Sequence, residues 1–287
     1  MPQTIDTKDA QVVAAATRTL FLMIFPATRS ILIDRLFADV SGMFAGKFPG
    51  YLACDTRYHD FEHTLQATLC LVRLLTGHQQ VGAEPLVTQR QFELGLAAVL
   101  LHDTGYLKRI TDLEGTGAKY TFCHVQRSCD FATDYLPFLG FTPDEIVAVQ
   151  HIISGTGPRS NIEGIPFADS IEKFLGRAVA TADYLGQMAA PDYPDELTIL
   201  FNEFHESDNF EGVPQEKRIF HSARELMEKT PAFWEKFVRP KLENDFAGVY
   251  RFLADPFPDG PNPYFAAVER NIARIRCDIA ALKPVGC

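Results

Sequence analysis

Apolar residues recur along the chain at three- and four-residue spacings, and no stretch sustains a two-residue alternation, so the pattern predicts helix after helix. Helices are expected near 9–25, 28–46, 58–78, 88–103, 122–138, 143–154, 170–190, 195–207, 215–229, 231–253 and 264–282. Several boundaries carry chemical signals. Thr142-Pro143-Asp144-Glu145 joins a capping Thr, a proline at the first helical position and a Glu placed for a capping box. Thr88 with Gln91 repeats the box, Thr230-Pro231 repeats the cap-then-proline order, and Gly105 reads as a helix stop. The expected fold is therefore all-α, one multi-helix bundle over residues 1–287. Two looser stretches, 109–121 and 154–169, follow histidine-bearing segments, where substrate-facing loops are expected.

Composition narrows the class. With 46% apolar and 22% charged residues the chain is neither disordered nor fibrous. A net charge of −10 argues against a nucleic-acid polymer or an anionic membrane as partner. The most apolar early stretch, Val12 to Phe25, is interrupted by Arg18 and is too short to span a bilayer, and Met1 to Asp9 does not read as a signal peptide. Cysteines 54, 70, 123, 129, 277 and 287 contain no CxxC pair, which suits reduced thiols and a cytoplasmic location.

The candidate chemistry lies in histidines and aspartates that the apolar pattern draws inward. His59 and His63 are four apart in a predicted helix and share a face, about 40° from each other. Phe61, Leu65, Leu69, Val72 and Leu75 form the stronger apolar stripe of that helix, yet the histidine side also carries Ala67, Cys70 and Leu74. Two buried faces, one holding imidazoles, call for partners, and a metal ion is an economical one. The apolar run Leu94–Leu101 ends in His102-Asp103, where an ionised carboxylate costs several kcal/mol unless paired or coordinated. On helix 170–190, Asp183 lies opposite the apolar stripe among Gly176, Val179, Gly186 and Ala190, small residues that allow a neighbouring helix to approach.

The ordered set Tyr58-His59-x-x-x-His63, Leu101-His102-Asp103-Thr104-Gly105 and Thr181-Ala182-Asp183 resembles the HD-domain metal-dependent phosphohydrolase superfamily across residues 51–190. The segment YHDFEHTLQAT is similar to the helix motif of class I cyclic nucleotide phosphodiesterases, departing from it at Asp60 and Gln66. The resemblance implies an HD-type bundle, with N-terminal helices in 1–50 and a helical extension in 191–287. It implies that His63, His102, Asp103 and Asp183 hold one divalent ion, with Asp103 bridging to a second. Other branches place histidines where His124 and His151 stand, which implies that these hold the second ion. His59 would be the proton donor to the leaving group, held by a carboxylate from another helix that the sequence does not identify.

Mixed imidazole and carboxylate ligands suit Fe, Mn, Zn, Co or Ni, with Mg as an alternative. The expected activity is hydrolysis of a phosphoester of a nucleotide or other small molecule by metal-activated water. Arg57, Lys108, Arg109, Lys119, Arg127 and Arg159 are the cations available to steady a phosphate. A di-iron oxygenase like the myo-inositol oxygenase branch, and a catalytically silent regulatory module, are the competing expectations. Assembly as a homodimer is left open. His78, His205 and His221 fit no part of the pattern and are expected at the surface.

Overall fold

A computed structural model describes residues 5–28, 30–157 and 160–281; Arg159 and Cys287 lie outside the described residues. The α-helices are α1 (Ala10–Ile24), α2 (Ile31–Phe44), α3 (Phe61–Gln80), α4 (Gln89–Leu101), α5 (His124–Tyr135), α6 (Pro143–Ser154), α7 (Ser170–Met188), α8 (Tyr193–Phe210), α9 (Ala223–Phe233), α10 (Arg239–Glu243) and α11 (Pro263–Ala281). Among the described residues there is no strand, only an isolated bridge between Tyr51 and Arg109, so the fold is all-α. No described helix is long and apolar enough to cross a membrane.

The core is built on α3, which packs against α1, α4 and most extensively α7. Both faces of α3 are buried as its pattern predicts: Leu65, Leu69 and Val72 on one, Ala67, Cys70 and Leu74 on the other. Burying each Leu or Val contributes about 1.5–3 kcal/mol, which offsets the cost of admitting charged groups beside them. The run Leu96–Leu101 is fully buried, so α4 delivers His102-Asp103 into the interior. Helix α5 packs on α6 and on the 3-10 turn Thr104–Tyr106 that follows α4. The C-terminal helices α8, α9 and α11 pack on one another, with α11 also against α7.

Both capping boxes form. Thr88 Oγ1 accepts from Gln91 N, and Thr142 Oγ1 accepts from Glu145 N with Pro143 at the first helical position. The Glu145 carboxylate also receives a bidentate pair from Arg90, with Nε–Oε1 at 2.6 Å and Nη2–Oε2 at 2.8 Å. Arg90 first, against a smaller opposing effect of burial, holds Glu145 at about 2, below its ordinary 4.5. A depressed carboxylate adds stability above its unfolded value and loses it as the pH falls through its folded value. Glu145→Gln is therefore expected to cost about 1–2 kcal/mol at pH 7 in urea unfolding, a gap that narrows as the pH falls from 4.5 toward 2.

The sequence pattern fails at the C-terminal helices and at one histidine. Helix α9 starts at Ala223, capped by Ser222, rather than near residue 215. It then runs through Thr230-Pro231 instead of ending there. Thr230 is buried and its hydroxyl donates to Leu226 O at 2.8 Å, so it caps nothing. Pro231 has no N–H to give, and the chain widens into a π turn over Trp234–Val238 before α10. Burial of Leu226, Trp234 and Val238 on one continuous stripe outweighs the local break. The segment expected to be helical to 253 stops at Glu243, where Ala247 and Gly248 adopt positive φ. His78, expected at the surface, is buried between Phe174 and Phe252, because the C-terminal segment folds over the end of α3. His205 and His221 are exposed, as expected.

Candidate metal centre

Three stretches distant in sequence meet at the first turn of α3, the end of α4 and the middle of α7. Asp60 caps α3, its Oδ1 accepting from His63 N at 3.1 Å. The helix therefore starts after Asp60, and His59 stands outside it rather than within it, since an Asp satisfies the free amides best from the capping position. The two imidazoles remain neighbours, 5.7 Å between ring centroids. Helix α7 comes close enough to bring Asp183 to His63 because residue 186 is glycine. A Cβ there would lie 2.7 Å from Ala67 N of α3. Gly105 does the same for α5: a Cβ there would meet the carbonyl of His124 at 1.9 Å.

His63 Nε2 lies 3.2 Å from Asp103 Oδ2 and 3.2 Å from Asp183 Oδ1. His102 Nε2 lies 3.3 and 3.5 Å from the same two oxygens. His102 Nε2 and Asp103 Oδ2 are buried and neither has a hydrogen-bond partner, although they are neighbours. Atoms this close without hydrogen-bond alignment aim at a shared point rather than at each other. Donors about 2.1 Å from a common ion at angles of 90–109° stand about 3.0–3.4 Å apart, so the spacing fits a bound divalent ion. His63, His102 and Asp103 can each offer one ligand atom within a 4.8 Å sphere of mutual distances.

Two of the imidazoles, His102 and His124, are anchored on the side away from the cluster, whereas the buried Nδ1 of His63 has no hydrogen-bond partner. His102 Nδ1 donates to Val99 O at 2.7 Å and His124 Nδ1 to Thr121 O at 2.8 Å. A carbonyl can only accept, so Nδ1 carries the proton and the neutral ring presents a lone pair at Nε2. Burial disfavours the charged form of His63, but the Asp103 and Asp183 carboxylates outweigh it and raise the imidazole to about 10. The same opposition raises His102. Burial alone would raise Asp103 and Asp183, yet the facing imidazoles hold both well below the ordinary carboxylate range. Gln187 braces the group, bonding Asp183 through Nε2 and accepting from Tyr58 Oη at 2.7 Å.

Asp103 turns its other oxygen to His124, with Oδ1–Nε2 at 3.8 Å. Burial lowers His124, keeping it neutral. Neither ring nitrogen of His151 comes within 4 Å of Asp103. His151 lies on α6 with Nδ1 bonded to Glu172 Oε1 at 2.6 Å, and Glu172 is the only described carboxylate within 4 Å of its ring nitrogens. Helix α6 packs against α4, α5 and α7, and α7 supplies Glu172 as the partner of the His151 Nδ1, which leaves Nε2 unengaged by it.

His59 is held at Nδ1 by Glu203 Oε2 at 2.6 Å. The other carboxylate oxygen, Oε1, accepts from the backbone amides of Arg57 and Tyr58, both at 2.7 Å. Burial works to raise Glu203, but the adjacent imidazole outweighs it and lowers the carboxyl. Glu203 is the carboxylate from another helix that the sequence left unidentified. Its sequence signal is a charged side chain on the buried stripe of α8 that also holds Tyr193, Leu197 and Ser207. Tyr106 and Gln187 also escaped the pattern, since neither titrates near neutral pH nor breaks the apolar periodicity.

Most of the candidate phosphate cations are engaged elsewhere. Lys108 is buried on Asp55 at 2.9 Å, Lys119 pairs with Asp112, and Arg127 donates to the carbonyls of Gly105 and Leu107. Arg109 lies over Tyr51 and against Asp134. Arg57 lines a cleft of about 110 Å³ that opens beside His63 between α3 and α8, together with Lys8. Glu62, Asp192 and Glu196 line the same cleft.

None of the curated proteins matches the chain. Residues 49–249 match the model of the Npun_R2479-like family. The matched stretch takes in His63, His102, Asp103 and Asp183, and His124, His151 and Glu203 as well. With more than half its length matched, the chain belongs to the Npun_R2479-like family.

Proposed function

We propose that this protein is a metal-dependent phosphohydrolase of the HD type, acting on a phosphoester of a nucleotide or another small molecule. The observation that carries the reading is the meeting of His63 Nε2, His102 Nε2 and Asp103 Oδ2 within 4.8 Å of one another, with Asp183 Oδ1 3.2 and 3.5 Å from the two imidazoles and the anchored His59 beside them. Those four residues would hold one divalent ion, chosen from Fe, Mn, Zn, Co or Ni, or Mg. Asp103 Oδ1 and His124 Nε2 face a second position. Divalent ions held there supply Lewis-acid polarisation of a phosphoryl oxygen and a water of lowered pKa.

The chain's own residues do the rest. Glu203 fixes the His59 ring by its Nδ1–H and leaves Nε2 free to deliver a proton to a leaving oxygen. Arg57 and Lys8 meet the phosphate at the mouth of the cleft. The carboxylates of Glu62, Asp192 and Glu196 beside them oppose entry of a polyphosphate and favour a compact mono- or diester.

Reconstitution with each metal, followed by elemental analysis and a screen of phosphoesters for phosphate release, tests the proposal. At least one ion per chain is expected, with hydrolysis that chelator abolishes. A ferrous protein that consumes dioxygen and releases no phosphate would replace this reading with the oxygenase one. A protein that binds no ion and turns over no ester would leave the silent-module reading.

A further inference from the structure

Tyr106 lies in the turn directly after His102-Asp103 and is 1% exposed. Its ring centroid is 4.6 Å from that of His59 at an interplanar angle of 15°, and 4.6 Å from that of His124 at 16°. The two imidazoles are themselves 6.2 Å apart and inclined at 31°. Rings stacked on opposite faces of a phenol would be separated by about 7 Å, two contact thicknesses of roughly 3.5 Å. The shorter separation puts both imidazoles on the same face, side by side and tilted away from each other.

We infer that the Tyr106 ring is a platform that sets the planes and the separation of His59 and His124. The role of those imidazoles rests on the proposed hydrolase; the stack itself does not. Each imidazole has one tether, Glu203 Oε2 for His59 and Thr121 O for His124, both at Nδ1. A single hydrogen bond fixes one ring atom and leaves the ring free to swing about it. The phenol face removes that freedom and so determines where each Nε2 points. Burial, reinforced by the Asp103 and Glu203 carboxylates, holds the phenol far above its ordinary value, so the surface beneath the imidazoles is an uncharged ring. An uncharged phenol face also attracts an imidazolium, the form His59 takes before giving up its proton. Tyr106 is a positioning residue.

The test compares Tyr106→Phe, Tyr106→Leu and Tyr106→Met in the full chain with isotope-labelled histidine. In wild type the Tyr106 ring current displaces the ring-proton signals of His59 and His124 together. Phe keeps both displacements; Leu and Met move both signals toward unstacked positions. On an alkyl phosphoester, Leu and Met are expected to lower kcat by about 10- to 10²-fold with KM little changed, and Phe to restore it. All three variants keep the ion held by His63, His102, Asp103 and Asp183, read by elemental analysis. Imidazole signals that do not move in a folded Leu or Met variant would overturn the platform. A Phe variant as defective as Leu would overturn it too, since the hydroxyl would then be the working part. Should no phosphoester be hydrolysed by wild type, the hydrolase reading fails, while the resonance measurement still decides the platform.

Discussion

Asp103→Asn is expected to leave the protein without a bound ion and to lower its melting temperature by roughly 10 °C. Asp103 is 2% exposed, and its two oxygens face different groups, Oδ2 toward His63 and His102 and Oδ1 toward His124. An amide of the same shape can present only one acceptor oxygen, and its nitrogen would point a donor at one of those imidazoles. Breaking a buried charged network by removing one partner costs about 3–5 kcal/mol, and metal binding that contributed to folding is lost with it. For a chain of this size each kcal/mol moves the midpoint by roughly 2–4 °C. An Asn variant that melts with wild type and still responds to chelator would remove Asp103 from the centre.

The same carboxylates predict a pH signature for chelated wild type. His63 is raised to about 10 from an ordinary 6.5, its burial outweighed by Asp103 and Asp183. A raised imidazole contributes fully below its unfolded value and loses that contribution as the pH climbs through its folded value. Chelated wild type should therefore lose a few kcal/mol between pH 6.5 and about 10, and Asp103→Asn should show a flatter profile. Metal loading at neutral pH should release protons, since the ion displaces the one on His63. Flat profiles and proton-neutral loading would separate His63 from the carboxylates.

His59→Ala is expected to keep its metal and lose about 10²–10⁴ in rate on alkyl phosphoesters. A leaving alkoxide departs poorly at neutral pH, so withdrawing the proton donor bears fully on such substrates. A nitrophenyl ester leaves without much protonation, and the loss there should be smaller. Glu203→Gln should share the selectivity with a milder loss. Its carbonyl can still take the Arg57 and Tyr58 amides, while its amide group no longer accepts the His59 Nδ1 proton. Loss of metal in the His59 variant would make it a ligand. Equal losses on both esters would remove the acid role.

Much of the centre could be read before any coordinates. His63 and His102-Asp103 stand where apolar periodicity runs into charge, and a carboxylate inside an apolar surround must find a partner. Asp183 was legible through Gly186, whose missing side chain lets α7 touch α3 at Ala67. The capping boxes at Thr88 and Thr142 were equally plain, because a cap depends only on residues within one turn. Local rules misled where tertiary burial outbid them: at Thr230-Pro231, overridden by the stripe of Leu226, Trp234 and Val238, and at His78, covered by a distant segment.

The helical fold class, the inward direction of four candidate ligands and the starts of α4 and α6 are legible from the residues alone, since each follows from contacts within a few residues. Tertiary packing alone brings Glu203 to His59, lays Tyr106 beneath two imidazoles and gives the His151 Nδ1 to Glu172. Those pairings join residues many turns apart along the chain, and no periodicity encodes which helix faces will meet. They are settled by how close the backbones can come, at Gly105 and Gly186, and by which buried polar atom finds a partner.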